Sequence, residues 1–412
     1  MKIINPEILR EYDIRGIFNQ SLSLDDIILI GEKLSKIIKN NQSPQIIIGH
    51  DGRNSSLEIK NTLIKTFLKF GIDVLDISLV PTPISYFANK NYNIPNSIMI
   101  TGSHNPKEYN GLKIIIDNKP FFSNNIKLLN QINTSELINL PGKLTLKNPI
   151  KSYKEIILKR FSKINNLKIV WDPGNGAIGP LINDIVNTIG GYNVILNKSI
   201  DGNFPNHHPD PTIKKNISQI SDYIKNNAFD LGIAFDGDGD RVGVLDNNGN
   251  LIYSDIVFLL LVLDLHKKKK NLTAVADIKC SKILFDTLKD KGINILMSKT
   301  GHSLIKEMIV KENADIAGEM SGHIFYKYEY YGYDDAIYAS LKLIKLINES
   351  NRKLSDLIAP YVRSSTTPEI KLYCDENKKI TILNEIINKF IEMYKNAQFI
   401  KIDGIRVELH DF

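Results

Sequence analysis

The organisation of this chain follows from the stretch Ser97-Ile98-Met99-Ile100-Thr101-Gly102-Ser103-His104-Asn105-Pro106. Its first four residues form an apolar run of the kind expected of a buried strand. Gly102 permits unusual backbone angles and Pro106 ends regular strand pairing, so the chain must turn between them. The hydroxyl of Ser103 therefore stands at the carboxyl end of a strand, where open α/β sheets place their functional groups. Taken alone, a Ser in such a turn is more often an ordinary turn residue.

Helical periodicity and apolar strand-like runs alternate on both sides of this turn. The expected helices cover residues 24–38 and 57–70, and the expected strands cover 46–48, 72–77, 113–116, 168–171, 231–235, 242–246 and 274–277. Strands that alternate with helices imply crossover connections, so the fold class is α/β with mixed sheets.

The length of 412 residues is too great for a single core. We expect three consecutive mixed-sheet α/β domains at residues 1–149, 150–250 and 251–362. A smaller α+β unit at 363–412 should follow them, with a strand, a helix over 380–394 and a second strand.

The charge balance is mildly basic, with 52 Lys and Arg against 46 Asp and Glu. This spread-out excess does not indicate nucleic acid, and it is compatible with an anionic substrate. Cys280 and Cys374 lie far apart without metal-ligand spacing, which favours a reduced, cytoplasmic protein. The longest apolar run, at 256–263, is far shorter than the about 20 residues of a membrane span. We therefore expect a buried helix there, ended by the lysines at 267–270, and no membrane or nucleic-acid partner.

Three aspartates alternate with glycines in Asp236-Gly237-Asp238-Gly239-Asp240. Carboxylates this close repel one another unless a cation neutralises them, and hard oxygen ligands favour Mg²⁺ or Ca²⁺. An EF-hand calcium loop would need Gly at its sixth position and Glu at its twelfth, where Arg241 and Asn247 stand here. The pattern therefore predicts a divalent-metal site other than an EF-hand, with a plain charged turn as the alternative.

A second polar loop, Gly318-Glu319-Met320-Ser321-Gly322-His323, offers a carboxylate and a hydroxyl two residues apart. Such a pair points the same way in an extended loop and suits neighbouring sugar hydroxyls, although a capped turn is the commoner explanation. Four further side chains lie beside expected strand ends and are otherwise ordinary turn or surface residues: Arg15, Lys113, Lys279 and His302.

Together these stretches resemble the α-D-phosphohexomutase superfamily in order and spacing, from end to end of the chain. The resemblance is carried by Tyr12-Asp13-Ile14-Arg15-Gly16, by Thr101-Gly102-Ser103-His104-Asn105-Pro106, by Asp236-Gly237-Asp238-Gly239-Asp240-Arg241 and by the loop at 318–323. Shorter matches stand at 110–113, 202–205, 277–279 and 300–302. The chain is most similar to the phosphomannomutase/phosphoglucomutase group. Phosphoglucosamine mutases, the alternative within the superfamily, more often carry another residue where Met320 stands.

The resemblance implies reversible phosphoryl transfer between hexose 1-phosphate and hexose 6-phosphate, with mannose or glucose as the sugar. It also implies a phosphoserine, a hexose 1,6-bisphosphate as intermediate and activator, one Mg²⁺ per chain, and a monomer or weak dimer around a central cleft. The implied catalytic residues are Ser103, Arg15, Lys113, Arg241 and His104. The implied contacts to sugar phosphates are Tyr12, Lys279, His302, Glu319, Ser321 and His323, and the implied metal ligands are Ser103, Asp236, Asp238 and Asp240.

One family motif has no clear match in this sequence. The family's fourth domain carries a phosphate-gripping loop of the form Arg-x-Ser-Asn-Thr-x-Pro, whereas here residues 403–407 resemble the strand before it and the sequence ends at Phe412. Arg363-Ser364-Ser365-Thr366-Thr367-Pro368 lacks the Asn and is one residue short, so we interpret it as a linker. The expectation is an incomplete fourth domain. The alternative function is a catalytically impaired remnant that still binds Mg²⁺ and sugar phosphate.

Overall fold

The computed structural model describes residues 3–40, 44–133, 140–161, 164–362, 369–370, 372 and 374–409. Three α/β units follow one another along the chain, each built on its own mixed sheet. A small unit with a two-stranded sheet ends the described part. The fold class expected from the sequence is thus confirmed.

The first unit carries a seven-stranded sheet. Its strands are β1 (Ile14–Ile17), β2 (Gln45–His50), β3 (Asp73–Leu79), β4 (Ser97–Ile100), β5 (Tyr109–Ile116), β6 (Lys119–Pro120) and β7 (Leu144–Leu146). Its helices are α1 (Leu24–Lys39), α2 (Ser56–Lys69), α3 (Thr82–Tyr92) and α4 (Asn124–Leu128). The strand order is β1-β5-β4-β2-β3-β7, with β6 beside β5, and the central strands β4, β2 and β3 run parallel.

Local sequence explains where the first helix begins, and strand pairing explains the length of β5. Helix α1 begins after a capping box in which Ser23 and Asp26 satisfy each other's free backbone N–H groups. Strand β5 is longer than the expected 113–116, because its first residues pair antiparallel with β1, as in the register of Ile14 with Leu112. The sequence pattern alone did not reveal β1, so this extension was not foreseen.

The second unit has a five-stranded sheet in the order β12-β11-β10-β8-β9. Its strands are β8 (Ile164–Asp172), β9 (Gly190–Ile195), β10 (Leu231–Phe235), β11 (Val242–Leu245) and β12 (Leu251–Ile252), and its helices are α5 (Ile150–Arg160), α6 (Gly179–Ile189) and α7 (Ser218–Asn227). A tight turn joins β11 to β12, where Asp246 Oδ1 accepts the N–H groups of Asn248 and Asn250 at 2.9 and 2.8 Å.

The third unit has a four-stranded sheet in the order β14-β13-β15-β16. Its strands are β13 (Thr273–Asp277), β14 (Asn294–Ser298), β15 (Ile316–Gly318) and β16 (Ile324–Tyr326), and its helices are α8 (Ser254–Lys268), α9 (Lys282–Asp290), α10 (His302–Lys311), α11 (Ala336–Ser350) and α12 (Leu354–Ile358). Helix α8 contains the apolar run and is buried along it, as expected. Within the described ranges, no helix combines the length and apolar character that crossing a membrane requires.

The last unit consists of α13 (Glu376–Met393) and the antiparallel strands β17 (Gln398–Ile400) and β18 (Arg406–Glu408). The helix begins four residues before the expected position 380, and two strands follow it where the sequence predicted one. The interpretation of residues 363–368 as a linker lies outside the described residues. Hydrogen bonds tie this unit to the third, including the following two. Thr300 N donates to Asp403 Oδ2 at 3.0 Å, and Arg406 Nη1 donates to Ile278 O at 2.7 Å.

One hydrophobic cluster extends through the first three units, beside a separate cluster within the first unit, and an aromatic group around a buried carboxylate lies within the shared cluster. The hydroxyls of Tyr153 on α5 and Tyr330 donate to Asp335 Oδ2 at 2.9 and 2.8 Å. Tyr330 stacks on Tyr338 of α11 with ring centroids 4.0 Å apart, and Phe87 of α3 packs edge-on against Tyr153. This Asp335 cluster, formed by these five residues, therefore joins elements of all three units. Burial raises the pKa of the Asp335 carboxyl to about 6.

Candidate active site

The loop after β4 holds Ser103 in a left-handed backbone conformation, with a φ of 50°. For a residue with a side chain this conformation costs on the order of 1–3 kcal/mol, so surrounding contacts must maintain it. One such contact is local, because Ser103 N donates to Thr101 Oγ1 at 2.8 Å. The result is that Ser103 Oγ, which is buried, donates to Asp236 Oδ2 of the second unit at 2.9 Å.

The aspartate loop lies between β10 and β11 and is held by one of its own carboxylates. Asp236 Oδ1 accepts the backbone N–H groups of Gly239, Asp240 and Arg241 at 3.0, 3.1 and 3.1 Å. Asp236, Asp238 and Asp240 are fully buried, and one carboxylate oxygen from each lies within 4.8 Å of the others. In the part of the chain that the structure describes, Asp238 Oδ1 has no hydrogen-bond partner. Clustered hard oxygen atoms with a free buried acceptor fit a divalent cation such as Mg²⁺.

Two cationic side chains balance these carboxylates. Lys113 Nζ lies 2.6 Å from Asp238 Oδ2 and also contacts Asp240 Oδ2. Burial opposes the ammonium form, but Asp238 and Asp240 outweigh it and hold the pKa of Lys113 well above its usual range. Burial likewise opposes the charge of Arg241, yet Asp236 and Asp240 raise its pKa. Both side chains are therefore permanent cations beside the aspartate loop.

The loop between β15 and β16 contributes two more charged side chains, His323 and Glu319. His323 Nδ1 lies 2.8 Å from Glu319 Oε2, and His323 Nε2 lies 3.2 Å from Asp240 Oδ1. Burial disfavours the imidazolium, but Asp240 and Glu319 raise the pKa of His323 to about 9, so the ring is a cation at neutral pH. Glu319 Oε1 accepts Gly301 N–H at 2.6 Å, which ties this loop to the start of α10.

A cleft of about 170 Å³ opens where the three units meet. Eight residues nominated from the sequence line it, together with Asp13: Tyr12, Arg15, Ser103, His104, Lys113, Arg241, His302 and His323. Burial, with Arg241 and Arg15, holds the pKa of His104 well below its usual range, so its imidazole is neutral beside Ser103 Oγ at 3.2 Å. The aspartates and Glu319 stand directly behind this lining.

Besides the three aspartates and Glu319, two further nominated residues lie outside the lining. Ser321 Oγ is 3.1 Å from His323 Nδ1, on the far side of that ring from Asp240. The side chain of Lys279 is 47% exposed, and its Nζ donates to Glu369 Oε1 at 2.8 Å. Lys279 instead lines a separate pocket of about 400 Å³ between the third unit and the last one, together with Arg406.

Sequence reasoning missed several charged residues that the fold brings to this site. Lys306 Nζ lies 2.7 Å from Asp334 Oδ1 and 3.9 Å from the centroid of the Tyr86 ring. Burial holds the pKa of His302 well below its usual range, and the positive charge of Lys306 lowers it further. The four-residue spacing of His302 and Lys306 on α10 was a usable signal, because such residues share a helix face. Arg53, whose guanidinium lies beneath the Ser103 loop, gave no signal of this kind.

Comparison with known proteins identifies the family. Family models described as phosphoglucomutase/phosphomannomutase α/β/α domains I, II and III match residues 6–136, 150–249 and 253–363. The chain belongs to this family. A phosphomannomutase/phosphoglucomutase of Pseudomonas syringae pv. tomato is 37% identical over 407 residues, which cover 98% of this chain and 87% of that protein.

Solved structures agree with this assignment. The X-ray structure of a phosphoglucomutase/phosphomannomutase family protein from Burkholderia thailandensis superposes with a TM-score of 0.90 at 32% identity, covering 99% of this chain and 89% of that one. The fold is also shared by the N-acetylphosphoglucosamine mutase of Aspergillus fumigatus in complex with GlcNAc-6P and magnesium, with a TM-score of 0.55 at 12% identity over 97% and 92% of the two chains.

Membership of this family establishes the class of reaction. The enzyme is a hexose-phosphate mutase, an isomerase that moves a phosphoryl group between positions of its sugar substrate. The prediction made from its motifs is confirmed, and its similarity to phosphomannomutase/phosphoglucomutases favours this activity over the alternatives.

Proposed function

We propose that Ser103 carries the phosphoryl group that this mutase exchanges with mannose or glucose phosphates. The observation that carries the proposal is the contact between Ser103 Oγ and Asp236 Oδ2 at 2.9 Å, beside the cations Lys113 and Arg241. A phosphoserine carries a charge of about −1.5 to −2, which a bound metal ion and nearby cationic side chains can neutralise. The site supplies both within one cleft.

The proposed reaction has two phosphoryl transfers. In the first, a hydroxyl oxygen of the sugar monophosphate bonds to phosphorus as the bond from phosphorus to Ser103 Oγ breaks, and the proton of that hydroxyl ends on Ser103 Oγ. The sugar is then a 1,6-bisphosphate, which turns in the cleft and returns its other phosphoryl group to Ser103 Oγ. Each transfer needs positioning and charge stabilisation more than covalent catalysis. The same bisphosphate, supplied from solution, would load the unphosphorylated enzyme.

The three aspartates and Ser103 would hold one Mg²⁺. When bound, the metal offsets the phosphoserine charge and polarises the phosphoryl group. Burial and the carboxylates of Asp238 and Asp240 raise the pKa of Asp236, and a divalent cation held there would favour its ionised form. The magnesium named with the Aspergillus fumigatus mutase supports this assignment.

Side-chain protonation separates the remaining catalytic roles. Because its pKa is held well above the usual range, Lys113 stays protonated and is suited to charge stabilisation rather than to accepting a proton. Arg15 and Arg241 act with it on the transferring group. The neutral imidazole of His104, 3.2 Å from Ser103 Oγ, can accept or donate a hydrogen bond there.

Sugar and phosphate recognition falls to the third unit and the cleft rim. His323, a cation at neutral pH, suits a phosphate or a sugar hydroxyl. The proposed substrate contacts are Tyr12, Lys279, His302, Glu319, Ser321 and His323. The domains would then carry the phosphoserine loop at 1–149, the metal site at 150–250 and the sugar contacts at 251–362, followed by a partial phosphate-binding domain at 363–412. We further propose a cytoplasmic monomer or weak dimer, with sugar phosphates as its partners.

The test is the covalent state of Ser103. Incubation with glucose 1,6-bisphosphate and Mg²⁺ should add one phosphoryl group in an intact-mass spectrum and support turnover of glucose 1-phosphate. Ser103→Ala should lose both. Ser97→Ala is the matched control, because Ser97 is also buried and its Oγ donates to Asn89 Oδ1 at 2.8 Å, on the strand that leads to the loop. Phosphate that persists on Ser103→Ala would refute the assignment.

A further inference from the structure

We propose that Arg53 is a positioning residue that holds the Ser103 loop in the geometry needed for phosphoryl transfer. Arg53 is only 3% exposed, and it lies beneath the loop rather than among the residues that line the cleft. It can therefore act on the reaction only through the loop. The inference rests on the proposed role of Ser103.

The guanidinium of Arg53 donates to four backbone carbonyls of the loop. Its Nη2 donates to the oxygens of Ser103 and Asn105, both at 2.7 Å. Its Nη1 donates to the oxygens of Pro106 and Tyr109 at 2.6 and 3.0 Å. A guanidinium presents its donors in a fixed planar fork, so four carbonyls bound to one fork have a fixed arrangement. One of these carbonyls belongs to Ser103, whose own backbone conformation is unfavourable.

The fork is anchored to the first sheet. Arg53 Nε lies 3.2 Å from Asp51 Oδ2, and Asp51 Oδ1 accepts hydrogen bonds from Arg53 N at 3.0 Å and Ser56 Oγ at 2.6 Å. Asp51 N donates in turn to Ile100 O at 2.9 Å, at the end of β4. The carboxyl ends of the adjacent strands β2 and β4 thus form a rigid base for the loop.

Gly102 and Phe204 both lie close to the guanidinium of Arg53. A Cβ at Gly102 would lie 2.6 Å from Arg53 Cζ, so any larger residue would displace either the loop or the guanidinium. From the second unit, the ring of Phe204 lies 5.1 Å from Arg53 Cζ, within the range of a cation–π contact. Arg53 therefore contacts the units that contribute both Ser103 and its partner Asp236.

Loss of this fork should move Ser103 rather than unfold the protein. The four carbonyls would lose their donor, and the Ser103 backbone could relax toward a more favourable conformation. A lysine cannot replace the arginine, because its three donors sit on one nitrogen and cannot span both pairs of carbonyls. Displacement by about 1 Å from the reactive geometry can cost about 100-fold in rate.

The experiment compares Arg53→Lys and Gly102→Ala with Lys33→Met as control. Lys33 is also fully buried in the first unit, and its Nζ donates to the single carbonyl of Ile132 at 2.7 Å. For each protein, a coupled assay gives kcat and KM for glucose 1-phosphate. Intact mass gives the rate at which glucose 1,6-bisphosphate phosphorylates Ser103, and thermal unfolding gives Tm.

Arg53→Lys and Gly102→Ala should lower kcat and the phosphorylation rate by about 100-fold with little change in KM. Lys33→Met should lower Tm while it keeps the wild-type kcat. A folded Arg53→Lys or Gly102→Ala protein with wild-type kcat would overturn the inference, and either variant suffices if the other does not fold. If wild-type Ser103 itself takes up no phosphoryl group, the proposed function fails and this inference fails with it.

Discussion

The buried Asp335 carboxylate should make the enzyme less stable as the pH rises from acidic to neutral. Its pKa is raised by burial from 3.8 to about 6, so the folded chain keeps this proton where the unfolded chain has lost it. A group that binds its proton more tightly in the folded state stabilises that state less as the pH rises. The Asp335→Asn variant, which has no proton to lose, should not show this part of the pH dependence.

The magnitude follows from the two pKa values. A difference of about 2 units corresponds to a cost of about 3 kcal/mol at pH 7 and about 1 kcal/mol at pH 4.5. Between these pH values, wild type should lose about 2 kcal/mol more than Asp335→Asn. With the usual unfolding entropy per residue over 412 residues, this is a difference of about 2 °C in Tm.

Thermal unfolding of both proteins at pH 4.5 and pH 7 measures this difference. Any effect of the introduced amide that does not depend on pH cancels when the Tm of each protein at pH 4.5 is compared with its own Tm at pH 7. Tyr153→Phe is a control that should change the pH dependence of Tm in the opposite direction to Asp335→Asn. The Tyr153 hydroxyl is within hydrogen-bond distance of both Asp335 oxygens and lowers the pKa of Asp335. Its Tm should fall more between the two pH values than that of wild type. Equal pH dependence in wild type and Asp335→Asn would refute the reasoning.

Three further predictions concern the cleft and the residues beside it. Asp238→Asn should weaken Mg²⁺ binding by at least about 10-fold in calorimetry, and unchanged affinity would place the metal elsewhere. Gly301→Ala should raise KM for glucose 1-phosphate, because a Cβ there would lie 2.6 Å from the Tyr12 ring; an unchanged KM would contradict this role. Lys306→Met should lower the free energy of unfolding by about 3–5 kcal/mol, because it leaves the Asp334 carboxylate buried without its cation. In urea titrations, adding Asp334→Asn to Lys306→Met should restore most of the lost free energy of unfolding. No recovery would show that Lys306 and Asp334 do not stabilise the fold as a pair.

Sequence analysis predicted those parts of the site whose chemistry lies in contiguous residues. The aspartate loop is one example, because repulsion among three carboxylates separated by single glycines is a local signal that favours a cation site. The Ser103 loop is another, since a strand, a Gly and a Pro fix the turn that displays the hydroxyl. The alternation of helices and strands predicted the fold class for the same reason, because its signal is local.

Contacts that join distant segments were not predictable in this way. Arg53 lies 50 residues before Ser103 and 56 before Tyr109, and nothing near it in sequence shows what its guanidinium binds. The pair of Lys306 and Asp334 depends on how α10 meets the segment before α11. Strand β1 was missed for a related reason, since its pairing partner β5 lies almost 100 residues later.

The way the cleft is shared among units limits which proteins can exchange parts by recombination. Each unit has its own sheet and helices, so it could be exchanged for the corresponding unit of a relative. The ammonium of Lys113 would then face carboxylates inherited from the other parent at Asp238 and Asp240, and the same would hold for His323. Chimaeras should therefore be active only when these few cross-unit pairs match, whatever the overall identity of the parents.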